Sequence, residues 1–208
     1  MTVHPGVMAI AAAAVLATAS VLAFVSAGQP MLFFTKQTVE TPFYPESANA
    51  AKVSLAVPYG KNARHVLNFW EAPGTGPRPV VIFFHGGGWA HGDYREFAPH
   101  GFINQGISFA SVDYRLLGET PLPGPVMDAA RALQFLRHNA KDYNIDTEKI
   151  ILSGISAGGA SALYLNYHDD LANPESADPV ERESTRVLAS VVKEAQTAID
   201  PAIVGTWG

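Results

Sequence analysis

The chain has 208 residues with a formal net charge of -5 at pH 7, and 48% of its residues are hydrophobic. This length and composition fit one globular domain with its own core, and the acidic balance excludes the basic surface with which proteins bind nucleic acid. The chain contains no cysteine, which excludes a disulfide scaffold, a cysteine-ligated zinc site and a thiol nucleophile. Any nucleophile of this protein must therefore use oxygen.

An uncharged apolar run occupies residues 7–27, and the first lysine or arginine of the chain is Lys36. A run of this length is typical of an export signal and is also long enough to span a bilayer. The sequence therefore predicts that residues 1–30 are either a cleaved signal peptide or a retained membrane anchor. The protein is accordingly expected to be secreted, periplasmic or membrane-anchored, with its folded domain in residues 40–208.

From residue 40 onward, short apolar runs alternate with helical patterns. The first two predicted strands are joined by a tight turn, which indicates a hairpin-like opening. The run at 80–84 has no polar position and predicts a strand buried on both faces. The alternation predicts the α/β class, with a mostly parallel sheet flanked by helices. The predicted strands are 52–57, 65–70, 80–84, 108–114, 150–153 and 187–192; the predicted helices are 125–140 and a run of small residues ending at 167, followed by a solvated loop at 169–186.

Gly154, Ser156 and Gly158 form a G-x-S-x-G pattern between a predicted strand and a predicted helix. This is the position of a nucleophile elbow, a turn so sharp that the serine backbone is strained and its hydroxyl stands above the sheet. The flanking glycines are needed because a side chain at either position would collide where the strand and helix backbones cross. The pattern predicts Ser156 as a nucleophile, with a plain structural turn as the alternative.

A second motif, HGGGW at residues 85–89, follows the predicted strand 80–84. Successive glycines let backbone N–H groups point into one cavity, where the N–H of Ala157 can join them around an oxygen that becomes negative as Ser156 attacks a carbonyl. A phosphate cradle is the competing interpretation, but the spacing matches neither a P-loop nor G-x-G-x-x-G. The two motifs together predict acyl transfer in an oxyanion hole, a reaction that needs neither a metal nor a cofactor.

These motifs, with SVDYRL and the helix beginning at residue 125, resemble the α/β-hydrolase superfamily over residues 57–192. The resemblance is to its hormone-sensitive-lipase-like and feruloyl-esterase-like carboxylesterases. It implies the α/β-hydrolase fold with Ser156 as the catalytic residue that is acylated. It also implies three oxyanion-hole donors, the N–H groups of Gly87, Gly88 and Ala157.

The same resemblance assigns roles to side chains near the glycine loop. It implies that His85 holds the loop in place and does not transfer protons. Trp89 either lines the substrate cleft or packs beneath it. Three further residues are interpreted as structural hydrogen-bonding or ion-pair partners: Asp93, Asp113 and Arg115.

The family's chain order places a carboxylate and then a histidine after the serine. The one histidine after Ser156 is His168, which a helix of twelve residues would carry about 18 Å from the nucleophile. Asp200 is interpreted as a turn residue, with a catalytic acid as the alternative. The acid and the histidine are therefore expected beyond Gly208, together with further strands. The remaining acidic residues of this region are interpreted as solvent-facing: Asp169, Asp170 and Asp178.

The leading hypothesis is an exported serine carboxylic ester hydrolase that acts on small-molecule or polysaccharide-linked esters. The incomplete triad predicts a C-terminally truncated chain that is inactive by itself and folds poorly, since an interior strand would be left as a sheet edge. Two alternatives remain. One is a serine peptidase of the prolyl-oligopeptidase type, against which the His-Gly-Gly-Gly loop argues. The other is a non-catalytic, membrane-anchored binding module with a hydrolase-like fold.

Overall fold

A computed structural model describes residues 48–99 and 101–197; the predicted signal or anchor segment and Asp200 lie outside them. The strands are β1 (Lys52–Pro58), β2 (Val66–Glu71), β3 (Arg78–Phe84), β4 (Ser108–Val112), β5 (Ile145–Ile155) and β6 (Ala189–Lys193), and the helices are α1 (Gly124–His138) and α2 (Ala157–Tyr167). None of the helices in the described ranges has the length and apolar character that a bilayer crossing requires.

The described strands form one sheet in the order β1-β2-β4-β3-β5-β6. The pairs β1–β2 and β2–β4 are antiparallel, as a hairpin-like opening requires. The pairs β4–β3, β3–β5 and β5–β6 are parallel, so the carboxyl ends of these four strands lie at one edge of the sheet. The predicted α/β class with a mostly parallel sheet is confirmed.

Both faces of β3 are covered, as its apolar sequence predicts. Val80, Ile82 and Phe84 belong to a core cluster that also contains the buried residues of α1 and α2. Val81 belongs to a second cluster on the other face, with Ala98 and other residues outside the two helices. Alternate side chains of β3 therefore point to opposite faces of the sheet. The helices α1 and α2 both cover the face to which Val80, Ile82 and Phe84 point.

Several boundaries differ from the sequence prediction. β4 ends at Val112 instead of residue 114, because Asp113 and Tyr114 leave the strand and bind His85. β5 is longer than 150–153, and β6 begins two residues later than predicted. A side-chain contact or a neighbouring strand extends or ends the hydrogen-bonded pairing at these positions. The local sequence does not show such long-range contacts.

The segment between α2 and β6 is not the freely solvated loop that its composition predicts. Gln134 of α1 donates hydrogen bonds to the carbonyl oxygens of Glu181 and Glu183. Thr185 is 1% exposed, and its N–H and hydroxyl both donate to Asp170 Oδ1. Asp170 is exposed, as expected, and its carboxylate also organises the segment through these hydrogen bonds.

Asp170 should make the stability of this segment depend on pH. Burial raises the pKa of Asp170, but hydrogen bonds from Ser184, Thr185 and Ala172 outweigh burial and lower the pKa to about 2. Because the pKa is about 3.9 in the unfolded chain, the carboxylate stabilises the fold above about pH 4 and loses this effect as the pH falls toward 2. Asp170→Asn should therefore lower the free energy of unfolding by about 1 kcal/mol at pH 6, a value reduced for solvent screening.

Urea unfolding of the wild-type chain and Asp170→Asn at pH 6, 4 and 2.5 measures this difference, which should shrink toward zero at the lowest pH. Asp169→Asn changes the neighbouring exposed carboxylate and should have little effect at any pH. A difference between wild type and Asp170→Asn that is the same at all three pH values would contradict the assignment.

Candidate active site

Ser156 occupies the corner between β5 and α2. Its backbone angles are φ 52° and ψ −120°, a conformation that residues with a side chain rarely adopt. Its N–H donates to the Lys193 carbonyl oxygen at 3.0 Å, and its own carbonyl accepts from Ala160 N at 2.9 Å. The end of β6 and the first turn of α2 thus fix the strained backbone, which is the arrangement that the nucleophile-elbow prediction requires.

The two flanking glycines lie where no side chain fits. A Cβ atom at Gly158 would lie 2.1 Å from the Phe84 carbonyl oxygen and 2.3 Å from that of His85. A Cβ at Gly154 would lie 2.6 Å from the Gly158 carbonyl carbon. The predicted collision between the strand and helix backbones is therefore confirmed, and the G-x-S-x-G pattern is a steric requirement of this corner.

The glycine loop follows β3 and turns back on itself. Gly87 has φ 104° and Gly88 has φ 61°, angles that glycine adopts without strain. The Gly87 carbonyl oxygen accepts from Ala90 N at 2.9 Å and from His91 N at 3.1 Å. A Cβ at Gly87 would lie 2.1 Å from the His91 carbonyl oxygen, so this tight turn excludes larger residues.

Ser156 and the glycine loop line the same cavity, whose volume is about 250 Å³. Of the predicted oxyanion-hole donors, Gly87 is among the lining residues, whereas Gly88 and Ala157 are not. Ala157 is the first residue of α2, so its N–H has no acceptor within the helix. The complete lining is Gly86, Gly87, His91, Gly92, Glu96, Phe97, Ile155, Ser156 and Glu194.

The sequence does not predict three polar residues of this lining: His91, Glu96 and Glu194. His91 is exposed and ends the turn of the glycine loop, and Glu194 directly follows β6 with φ 51°. Both follow the carboxyl ends of parallel strands, where ligands bind in open α/β sheets. Their positions after predicted parallel strands are therefore the sequence signal from which His91 and Glu194 could be predicted as site residues. The family's chain order points instead to a histidine after Ser156.

Trp89 is 2% exposed, and its indole N–H donates to the Ser161 hydroxyl oxygen at 3.2 Å. The side chain belongs to the core cluster beneath α2 and is not part of the cavity lining. Of the two roles proposed for Trp89 from the sequence, this position favours packing over lining the cleft.

The structural roles expected near the glycine loop agree with the contacts. His85 is fully buried, and its Nε2 lies 3.0 Å from Asp113 Oδ1. Asp93 is paired with Arg95, which donates to both carboxylate oxygens. Arg115 donates in the same bidentate manner to Asp128, which lies on α1.

His168 is placed away from the cavity, as the helix geometry predicts. It follows the last residue of α2, eleven residues long, which separates it from Ser156 by about 16 Å. Its ring stacks on Tyr164 with a centroid distance of 3.6 Å. Among the histidines that the structure describes, His91 is therefore the one that shares the cavity with Ser156.

A serine at a strained strand–helix corner, beside a glycine loop at the end of the adjacent parallel strand, defines an α/β hydrolase of the carboxylesterase-like class. Residues 69–199, more than half of the chain, match the BD-FAE family, and the chain belongs to this family. Both the fold and the family agree with the resemblance drawn from the motifs.

The similar proteins include esterases and related hydrolases. The chain is 35% identical over 111 residues to Carboxylesterase NlhH of Mycobacterium tuberculosis, covering 51% of this chain and 34% of the relative. It is 36% identical over 113 residues to AB hydrolase superfamily protein C1039.03 of Schizosaccharomyces pombe, covering 51% and 33%. The chain thus spans about a third of the length of these curated relatives.

Two solved structures show the same likeness. The acetyl ester-xyloside bifunctional hydrolase from Caldicellulosiruptor lactoaceticus superimposes with a TM-score of 0.54 and 33% identity, over 61% of this chain and 48% of that one. Propionate-bound esterase Est2 from Thermogutta terrifontis superimposes with a TM-score of 0.55 and 26% identity, over 76% and 58%.

Proposed function

We propose that this protein is an exported serine carboxylesterase in which Ser156 forms an acyl-enzyme. The observation that carries the proposal is the strained backbone of Ser156 at the start of α2, in one cavity with the glycine loop. A non-glycine residue keeps such a conformation only where the surrounding structure holds it, and such residues cluster at active sites. The esterase names of the relatives support the same chemistry.

In the first step, the Ser156 oxygen attacks the ester carbonyl carbon and its proton passes to a base. The carbonyl oxygen becomes negative and accepts hydrogen bonds from the N–H groups of Gly87, Gly88 and Ala157. The positive end of the α2 dipole adds to this field, and each well-aimed donor lowers the barrier by about 3–4 kcal/mol. The alkoxide then leaves with a proton, and water hydrolyses the acyl-enzyme.

The proposal places the base and its carboxylate partner outside the described residues, in the order serine, acid, histidine. The 208-residue chain is accordingly proposed to have no significant turnover by itself. His91 lines the cavity and is placed to contact the substrate. The substrate is proposed to be a small-molecule or polysaccharide-linked ester, a class that the name of the acetyl ester-xyloside hydrolase supports.

Slow covalent labelling tests this proposal without requiring turnover. We expect a fluorophosphonate to modify Ser156 slowly in the purified chain, because an oxyanion hole keeps part of its effect when the base is missing. Imidazole added to the buffer should accelerate the reaction, because it can accept the hydroxyl proton in place of a protein histidine. Intact mass over time and peptide mapping measure the rate and the site.

Ser156→Ala should abolish labelling, whereas Ser153→Ala, three residues earlier on β5, should not. His91→Ala should still label Ser156; a complete loss of labelling would instead assign the base to His91. Modification of another serine, or no reaction with imidazole in a folded chain, would contradict the proposed function. Robust hydrolysis of p-nitrophenyl acetate that Ser156→Ala abolishes would keep Ser156 as the nucleophile and overturn the proposed inactivity.

A further inference from the structure

His85 lies beneath the glycine loop, fully buried, with hydrogen-bond acceptors facing both of its ring nitrogens. Nδ1 lies 2.8 Å from the Gly86 carbonyl oxygen, which can only accept a hydrogen bond. Nδ1 also lies 3.2 Å from the Tyr114 hydroxyl, whose proton is used in a 2.5 Å bond to the His85 carbonyl oxygen. The Tyr114 oxygen can therefore only accept from the ring, and Nδ1 must carry a proton.

The second ring nitrogen faces an ionised carboxylate. Nε2 lies 3.0 Å from Asp113 Oδ1, and the same oxygen receives Arg64 Nη2 at 3.1 Å and Tyr114 N at 3.0 Å. A proton on Oδ1 would face the Arg64 guanidinium and the Tyr114 N–H, both of which are obligatory donors. Asp113 Oδ1 is therefore an acceptor for all three groups, and Nε2 must also carry a proton.

We propose that His85 is an imidazolium in the folded protein, a positive side chain buried under the loop that bears the predicted oxyanion-hole donors. Three acceptor oxygens face the ring, two at Nδ1 and one at Nε2, and they are satisfied only when both ring nitrogens carry protons. The Tyr114 ring stacks on it with centroids 4.2 Å apart and an angle of 11°, an arrangement that favours a cation against an aromatic face.

The surroundings of His85 supply the charges that this state requires. Asp113 is the anionic partner from the end of β4, and Arg64, from the turn between β1 and β2, shares that carboxylate. Arg64 Nε also lies 3.6 Å from Glu119, which offsets the second positive charge. Burial raises the pKa of the Tyr114 hydroxyl, and Asp113 raises it further, so Tyr114 stays a neutral donor. A Cβ at Gly92 would lie 2.4 Å from Nδ1, so the loop closes tightly over the ring.

The charge acts on the reaction through one peptide group. The Gly86 carbonyl that accepts from the imidazolium and the Gly87 N–H belong to the same peptide unit. A hydrogen bond to the carbonyl from a cation polarises that unit and makes its N–H a stronger donor. This consequence rests on the proposed function, in which the Gly87 N–H binds the oxyanion. His85 is then a positioning residue: it strengthens the Gly87 N–H as a donor and does not itself contact the oxyanion.

Nitrogen NMR of the full chain labelled with ¹⁵N-histidine tests the charge directly. At pH 8 we expect both ring nitrogens of His85 to give the signals of protonated nitrogens, two per ring. The spectrum of His85→Gln identifies the His85 signals by their loss.

Asp113→Asn should remove one proton from the ring, whereas Tyr114→Phe leaves Gly86 and Asp113 in place and should retain both. One unprotonated nitrogen in wild-type His85 at pH 8 would overturn the proposal, as would retention of both protons in a folded Asp113→Asn. If Asp113→Asn does not fold, the wild-type spectrum alone decides. Ser156 labelling is independent of this spectrum, so failure of either proposal can be told from failure of the other.

Discussion

Gly158→Ala should destabilise the protein by about 3–5 kcal/mol or prevent its folding. The added Cβ would lie 2.1 Å from the Phe84 carbonyl oxygen and 2.3 Å from the His85 carbonyl oxygen. Both are backbone atoms at the end of β3 and cannot rotate away, so α2 would have to move off the sheet. The same movement would displace Ser156 from the glycine loop, so labelling of Ser156 should be lost as well.

Thermal and urea unfolding of Gly158→Ala measure the loss of stability. Gly118→Ala is the matched control, because a Cβ at Gly118 meets no atom within 4 Å and its φ is not positive. This variant should unfold within about 0.5 kcal/mol of wild type. If Gly158→Ala were as stable as wild type and Ser156 were still labelled, the Phe84 and His85 carbonyl oxygens would not pack closely against Gly158.

The corner at Ser156 could be predicted because its determinants are local. G-x-S-x-G places glycines on both sides of the serine at a fixed spacing, and an apolar run before it predicts the strand. The run at 80–84 indicates a strand buried on both faces, because no polar side chain interrupts it. The fold and the candidate nucleophile therefore follow from short segments.

The rest of the site depends on contacts between distant segments. His91 and Glu194 are more than a hundred residues apart and meet in one cavity only after β3 and β6 take their places in the sheet. Asp170 lies in a segment whose composition is that of a solvated loop, although Thr185 and Ser184 bind it. Local composition cannot report such partners, because long-range hydrogen bonds are decided by topology.

A buried carboxylate on α1, that of Asp128, binds residues from two other segments of the chain. Its side chain is 4% exposed and accepts from Arg115 Nε at 2.8 Å, from Arg115 Nη2 at 2.6 Å and from the Arg115 backbone N–H at 3.0 Å. His65 Nε2 lies 3.1 Å from the same carboxylate. Asp128 thus holds the chain just after Asp113 and Tyr114, the residues that support the His85 ring.

Asp128→Ala should lower the free energy of unfolding by about 3–5 kcal/mol, because it leaves the partly buried Arg115 guanidinium without its carboxylate and opens a gap beside the buried His65. Urea unfolding at pH 7 measures the change. Asp93→Asn weakens an ion pair whose arginine, Arg95, is largely exposed, so it should cost less than about 1 kcal/mol. Where Asp128→Ala remains folded, labelling of Ser156 should be slower, since the segment that positions the glycine loop is released. Equal losses of stability in the two variants would show that the buried Asp128 contributes no more than the carboxylate of an exposed ion pair.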